Sequence, residues 1–139
     1  MFDEEQAQFV CDFLECLTCS SGVPLRLMDW QRDMITEFYG QLIEDEDDPA
    51  GSYLRRYQYL YLEIAKKNGK SEIAAGLGVY HLFADGEING EVYVVAADRD
   101  NAGIVFAAAK YMVEQSPALK KRSRIVDSTK TIYDETSGS

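Results

Sequence analysis

Apolar positions along this chain follow two rhythms, and the change between them marks its architecture. Over residues 3–18 they recur at helical spacing. Phe9, Phe13 and Leu17 share a line, with Val10 and Leu14 beside them. Residues 29–43 repeat the pattern, with Trp30, Met34, Phe38 and Leu42 on one stripe and Asp29 placed to cap the helix. Ser20-Ser21-Gly22-Val23-Pro24 breaks the first helix from the second.

From Tyr57 the rhythm changes. Residues 57–65 (Tyr-Gln-Tyr-Leu-Tyr-Leu-Glu-Ile-Ala) and 91–97 (Glu-Val-Tyr-Val-Val-Ala-Ala) read as buried strands. Tyr57, Tyr59 and Tyr61 alternate and so pack on one face of a sheet. Each strand precedes a helical run. The first covers 71–83, with Ile73, Leu77 and Tyr80 facing inward. The second starts from Asp98 or Asp100, reaches about Gln115 and is closed by Pro117. Residues 85–90 form the turn between. Residues 123–127 and 131–133 read as short strands before a polar tail. Strand, helix, strand, helix predicts an α/β fold with a mostly parallel sheet flanked by helices and joined by right-handed connections.

Chemistry concentrates between the first strand and its helix. Ile64-Ala65-Lys66-Lys67-Asn68-Gly69-Lys70-Ser71 ends in Gly-Lys-Ser in the context of a phosphate loop. A strand delivers such a loop to the sheet edge, and its N–H groups cradle phosphate oxygens. The following helix aims its positive N-terminal end at the same anion. Gly69 lets the backbone approach closely, Lys70 reaches the β- and γ-phosphates, and the Ser71 hydroxyl ligates Mg²⁺. Lys66, Lys67 and Asn68 complete the cradle. The loop is a variant Walker A motif, because Ile64 stands where the strict pattern has Gly. ATP and Mg²⁺ are the cofactors this site implies.

Composition narrows the classes. With 46% hydrophobic residues the chain is too apolar to be disordered, and it has length for one domain with a core. No apolar run of about 18 residues exists, so no membrane span is expected. The acidic start, Met1-Phe2-Asp3-Glu4-Glu5, lacks the basic opening of a signal peptide. A net charge of −10 argues against a broad DNA-coating surface. Local basic clusters remain at Arg55-Arg56, at Lys66-Lys67-Lys70 and from Lys120 to Arg124. Cys11, Cys16 and Cys19 read as reduced thiols rather than a zinc site, since the single histidine, His81, is distant in sequence. Asp134-Glu135 invites comparison with a Mg²⁺-binding Walker B pair. Only Ile132 and Tyr133 precede it as apolar residues, too few for a central parallel strand, so the pair reads as a hairpin end.

Taken in order, five blocks resemble the start of the large terminase subunit, the genome-packaging motor of tailed bacteriophages. They are Leu27-Met28-Asp29-Trp30-Gln31, Phe38-Tyr39-Gly40, Arg55-Arg56-Tyr57, the Ile64-to-Ser71 loop and Val92 to Asp100. The resemblance implies a helicase-like P-loop NTPase, a three-layer sandwich that is incomplete at its C-terminal side. An N-terminal helix would occupy residues 1–22 and a partial ATPase domain residues 23–139, with the Walker B strand and the nuclease domain absent. Gln31 would contact adenine. Lys66 stands where the family often has an Arg that serves the γ-phosphate, so Lys66 and Lys70 are the candidate catalytic residues; Lys66 keeps the charge without the planar fork. Asp29 stands where Pro is usual, and Asn101 where Gln is common.

The resemblance further implies double-stranded DNA, a portal protein and a small terminase subunit as partners, and a homo-oligomeric ring at full length. It places the protein in the bacterial host cytoplasm and transiently at the procapsid portal. This 139-residue chain is expected to bind ATP with little or no hydrolysis. The alternatives are another P-loop ATPase or helicase-like protein, and a truncated nucleotide-binding module without turnover.

Overall fold

The structure, a computed structural model, describes residues 1–65 and 69–139. It divides into two compact units, residues 1–15 with 26–63 and residues 16–25 with 64–139.

The first unit pairs α1 (Glu4–Glu15) with α2 (Asp29–Gly40), followed by β1 (Leu42–Glu44) and β2 (Tyr53–Arg55). The Asp3 carboxylate accepts the Gln6 N–H at 3.0 Å and caps α1. The buried face of α1 is Ala7, Val10, Cys11 and Leu14, and that of α2 includes Gln31, Ile35 and Tyr39. Leu14 and Ile35 are wholly buried, each contributing about 2 kcal/mol by removal from water. An Arg32–Glu15 ion pair at 2.5 Å ties the two helices.

These faces differ from the expected stripes. Phe9 and Trp30 are exposed, and α2 buries the line one residue beyond Trp30, Met34 and Phe38. The apolar stripe of α2 is broad, and packing against α1 selects which part of it is covered. Met28, not Asp29, is the N-cap residue of α2. The helix stops at Gly40 because Leu42–Glu44 pairs antiparallel with Tyr53–Arg55, where residues 42 and 43 were expected to stay helical.

The second unit contains α3 (Lys70–Phe83), α4 (Arg99–Gln115), α5 (Pro117–Arg122), β3 (Ser123–Val126) and β4 (Thr131–Asp134). Asp98 caps α4, accepting the Asn101 N–H at 2.8 Å. α3 packs on α4, and Ile73, Val79, Tyr80, Ala108, Met112 and Val113 are buried. Pro117 ends α4 by opening α5 at its first turn, where a missing N–H costs nothing. β3 and β4 form an antiparallel hairpin.

The expected parallel sheet is not among the described residues, whose strands form two antiparallel pairs. Residues 57–65 and 91–97 belong to no ladder. Tyr59 is 90% and Val95 89% exposed. A strand is defined by its partner, and an apolar alternating segment reads the same with or without one. The α/β composition stands; the three-layer arrangement is not formed by these pairings.

Candidate phosphate-binding site

Gly69 has φ 76° and ψ 16°, in the left-handed region, and forms the N-cap of α3. An L side chain there would be strained, which is the physical reason for glycine at this turn. Its carbonyl accepts the Ile73 N–H at 3.0 Å and starts the helix. Lys70 and Ser71 occupy the first turn and are exposed. Gly69 has no side chain to cap α3, so the leading N–H groups of the helix receive no acceptor from their own N-cap residue. An exposed ammonium and an exposed hydroxyl stand in the first turn of a helix that starts on a glycine and is held by buried Ile73, Ala75 and Val79. This arrangement suits an anion. Lys66, Lys67 and Asn68 lie outside the described residues.

Gln31 sits in the first unit and is only 3% exposed. Its side-chain carbonyl accepts the Met28 N–H at 2.8 Å, closing the first turn of α2. Sequence reasoning assigned this residue to a ligand and missed its structural task.

Asp134 is fully buried and its carboxylate is engaged on all sides. Arg122 donates from Nε at 2.8 Å and from Nη2 at 2.6 Å. The Ser137 hydroxyl donates at 2.7 Å and the Thr136 N–H at 3.1 Å. Burial pushes this carboxyl up, but Arg122 and the other donors outweigh it and hold it below the usual carboxylate range. The guanidinium of Arg122 also lies 5.6 Å from the Phe83 ring centroid. Asp134 is therefore a hairpin-end structural acid, with no lone pair left facing a metal. Among the described residues no group of three or more His, Cys, Asp or Glu is placed to hold a metal ion. Cys11, Cys16 and Cys19 are free.

Two further residues at the head of α3 escaped sequence reasoning. Glu72 accepts the Ser20 hydroxyl at 2.5 Å and the Ser20 N–H at 3.4 Å. They are 52 positions apart, so no local pattern could pair them. Farther along α3, a cavity of about 430 Å³ lies between α3, α4, residues 92–94 and the β3–β4 hairpin, lined by Gly78, Val92, Val94, Phe106 and Ile132 among others. Its wall is mostly apolar, with Tyr93, Thr129, Lys130 and Thr131 as the polar side chains.

The geometry can be set beside known proteins. Residues 29–139 match the family described as the terminase large subunit, ATPase domain. The terminase large subunit of Enterobacteria phage HK97 is 34% identical over 112 residues, covering 80% of this chain and 20% of that protein. The crystal structure of the HK97 bacteriophage large terminase aligns with a TM-score of 0.76 and 31% identity, over 99% of this chain and 26% of that one. The chain thus spans about a fifth of the length of the curated relative it matches. No helix among the described residues is long and apolar enough to cross a membrane.

Proposed function

The chain belongs to the family of terminase large-subunit ATPase domains, and on that premise we propose that it binds ATP with Mg²⁺ at the head of α3 and serves as the nucleotide-binding part of a DNA-packaging motor. The observation that carries this reading is the left-handed Gly69 leading into a helix whose first turn presents Lys70 and Ser71. The residues fit the ligand. Mg²⁺ in nucleotide sites takes one or two protein oxygens and completes its octahedron with phosphate oxygens and waters. A single exposed hydroxyl, Ser71, meets that requirement. Lys70 would neutralise the β- and γ-phosphates, and the α3 N–H groups would accept the remaining charge. Lys66, Lys67 and Asn68 would line the loop, with Lys66 assisting at the γ-phosphate. Held at Ser71, Mg²⁺ would supply charge neutralisation for phosphoryl transfer.

Little turnover is expected from this chain. The hydrolysis chemistry needs a carboxylate for the metal and another to orient the attacking water. Asp134, beside Glu135, is wholly taken up by Arg122, Ser137 and Thr136. In the intact motor the same site would couple hydrolysis to translocation of double-stranded DNA. The portal protein, the small terminase subunit and further copies in a ring would be its partners, in the cytoplasm of the bacterial host.

The test is calorimetric titration of ATP·Mg²⁺ into the wild type and Lys70→Ala, with phosphate release followed in parallel. Removing a charge-assisted contact should weaken binding by at least about ten-fold. Unchanged affinity would remove the phosphate-loop assignment, and brisk turnover by the wild type would overturn the binding-only reading.

A further inference from the structure

A glutamate in the first turn of a helix ordinarily folds back on the helix's own free N–H groups, as in the capping box. Glu72 follows Ser71 and stands third after the Gly69 N-cap, the position from which it would do so. Those N–H groups are the donors a phosphate would need. Yet the Gly69 N-cap brings no side chain of its own, and Glu72 is turned to Ser20, its Oε1 held by both the hydroxyl and the N–H of that residue. Its Oε2 is buried with no hydrogen-bond partner among the described residues. A carboxylate with one buried, unpaired oxygen is held at a cost, so something fixes it there.

The holder is built for the task. Residues 16–25 are flanked on both sides by chain of the first unit but belong to the second. They form a tight hairpin. The Leu25 N–H reaches the Leu17 carbonyl at 2.9 Å, the Cys19 N–H reaches Val23 at 2.8 Å, and Thr18 bridges Pro24. Gly22 turns the tip at φ 87°, and a Cβ there would stand 3.7 Å from the Tyr111 hydroxyl of α4. The Cys19 thiol is pushed up by burial and then by the charge of Glu72, which places that carboxylate against the hairpin.

We propose that Ser20 is a positioning residue of the phosphate site: its hydroxyl diverts Glu72 from the head of α3, so that the helix's leading N–H groups stay open to the phosphates of a nucleotide. This rests on the reading of α3 as the phosphate site. It predicts an antagonism that a merely structural clip would not produce. Without Ser20, Glu72 is released to cap α3 and competes with the ligand; without both, the competition disappears.

The experiment is titration of the full chain with ATP and Mg²⁺, with thermal melts confirming that each variant is folded. Ser20→Ala should bind about five-fold more weakly, the size of a carboxylate's interaction with a helix N-terminus. Ser20→Thr, which keeps the hydroxyl, should bind as the wild type does. Glu72→Ala should bind no more weakly than the wild type, and Ser20→Ala with Glu72→Ala should return to the Glu72→Ala value. If the double variant stays as weak as Ser20→Ala, Ser20 only braces the hairpin and the proposal is wrong. Equal affinities for Ser20→Ala and wild type, with Lys70→Ala still weakening binding, would also sink it while sparing the phosphate site. A wild type that binds no ATP, or a Lys70→Ala variant that binds normally, removes the site and the proposal together.

Discussion

Asp134→Asn separates a structural acid from a metal-binding one. The substitution keeps the shape and removes the charge that receives Arg122 Nε at 2.8 Å and Nη2 at 2.6 Å. It also sets an amide N–H₂ against donors from Arg122 or Ser137, so at least one contact becomes donor facing donor. Breaking a fully buried pair by removing one partner costs about 3–5 kcal/mol. The Arg122 side chain retains 32% exposure and can recover some hydration, which lowers the expected loss to about 2–3 kcal/mol. For a chain of this size that is a fall in Tm of about 10 °C.

The acid limb supplies an internal control. Donors outweigh burial at Asp134, so its folded pKa lies below the ordinary value. The stability it contributes is complete above the unfolded carboxylate pKa of about 3.9 and is lost as pH falls through the lower folded value. Wild-type and Asp134→Asn melting curves should therefore differ fully near neutral pH and converge in strong acid. Calorimetric or circular-dichroism melts across that range read the effect directly. A Tm change under about 2 °C at neutral pH would refute the reasoning. If stability held while Mg²⁺-dependent ATP binding collapsed, Asp134 would be a metal ligand after all.

Other consequences follow from single contacts. Gly69→Ala forces a side chain into the left-handed region at φ 76° and should cost about 1–2 kcal/mol in urea melts, with weaker ATP binding; an undisturbed variant would mean that the turn relaxes freely. Asp98→Ala removes the cap on α4 that receives the Asn101 N–H, and should cost about 1 kcal/mol in the same assay. Residues 91–97 leave an exposed, apolar, unpaired segment, so the chain should self-associate at high concentration. Val95→Lys should shift sedimentation profiles toward monomer, and identical profiles for both proteins would count against pairing at this segment.

Local patterns carried much of the molecule. The helices at 4–15, 29–40, 70–83 and 99–115 were legible because each has apolar periodicity bounded by a break or a cap, and those signals act within a few residues. The Gly69-Lys70-Ser71 head of α3 was legible for the same reason. Asp134-Glu135 could be read as a hairpin end from the short apolar run before it, and β3 with β4 forms that hairpin.

Tertiary structure decided what periodicity leaves open. Which edge of a broad apolar stripe is buried depends on the partner helix, so Gln31, Ile35 and Tyr39 face inward while Trp30 does not. Whether residues 57–65 and 91–97 become strands depends on a neighbouring backbone, which their own side chains cannot specify. The Arg122–Asp134 pair and the Ser20–Glu72 contact join residues 12 and 52 positions apart. A helix or a phosphate loop is written in adjacent residues because its hydrogen bonds are local. The orientation of the Glu72 carboxylate at the head of α3 is set by side chains that meet only after folding.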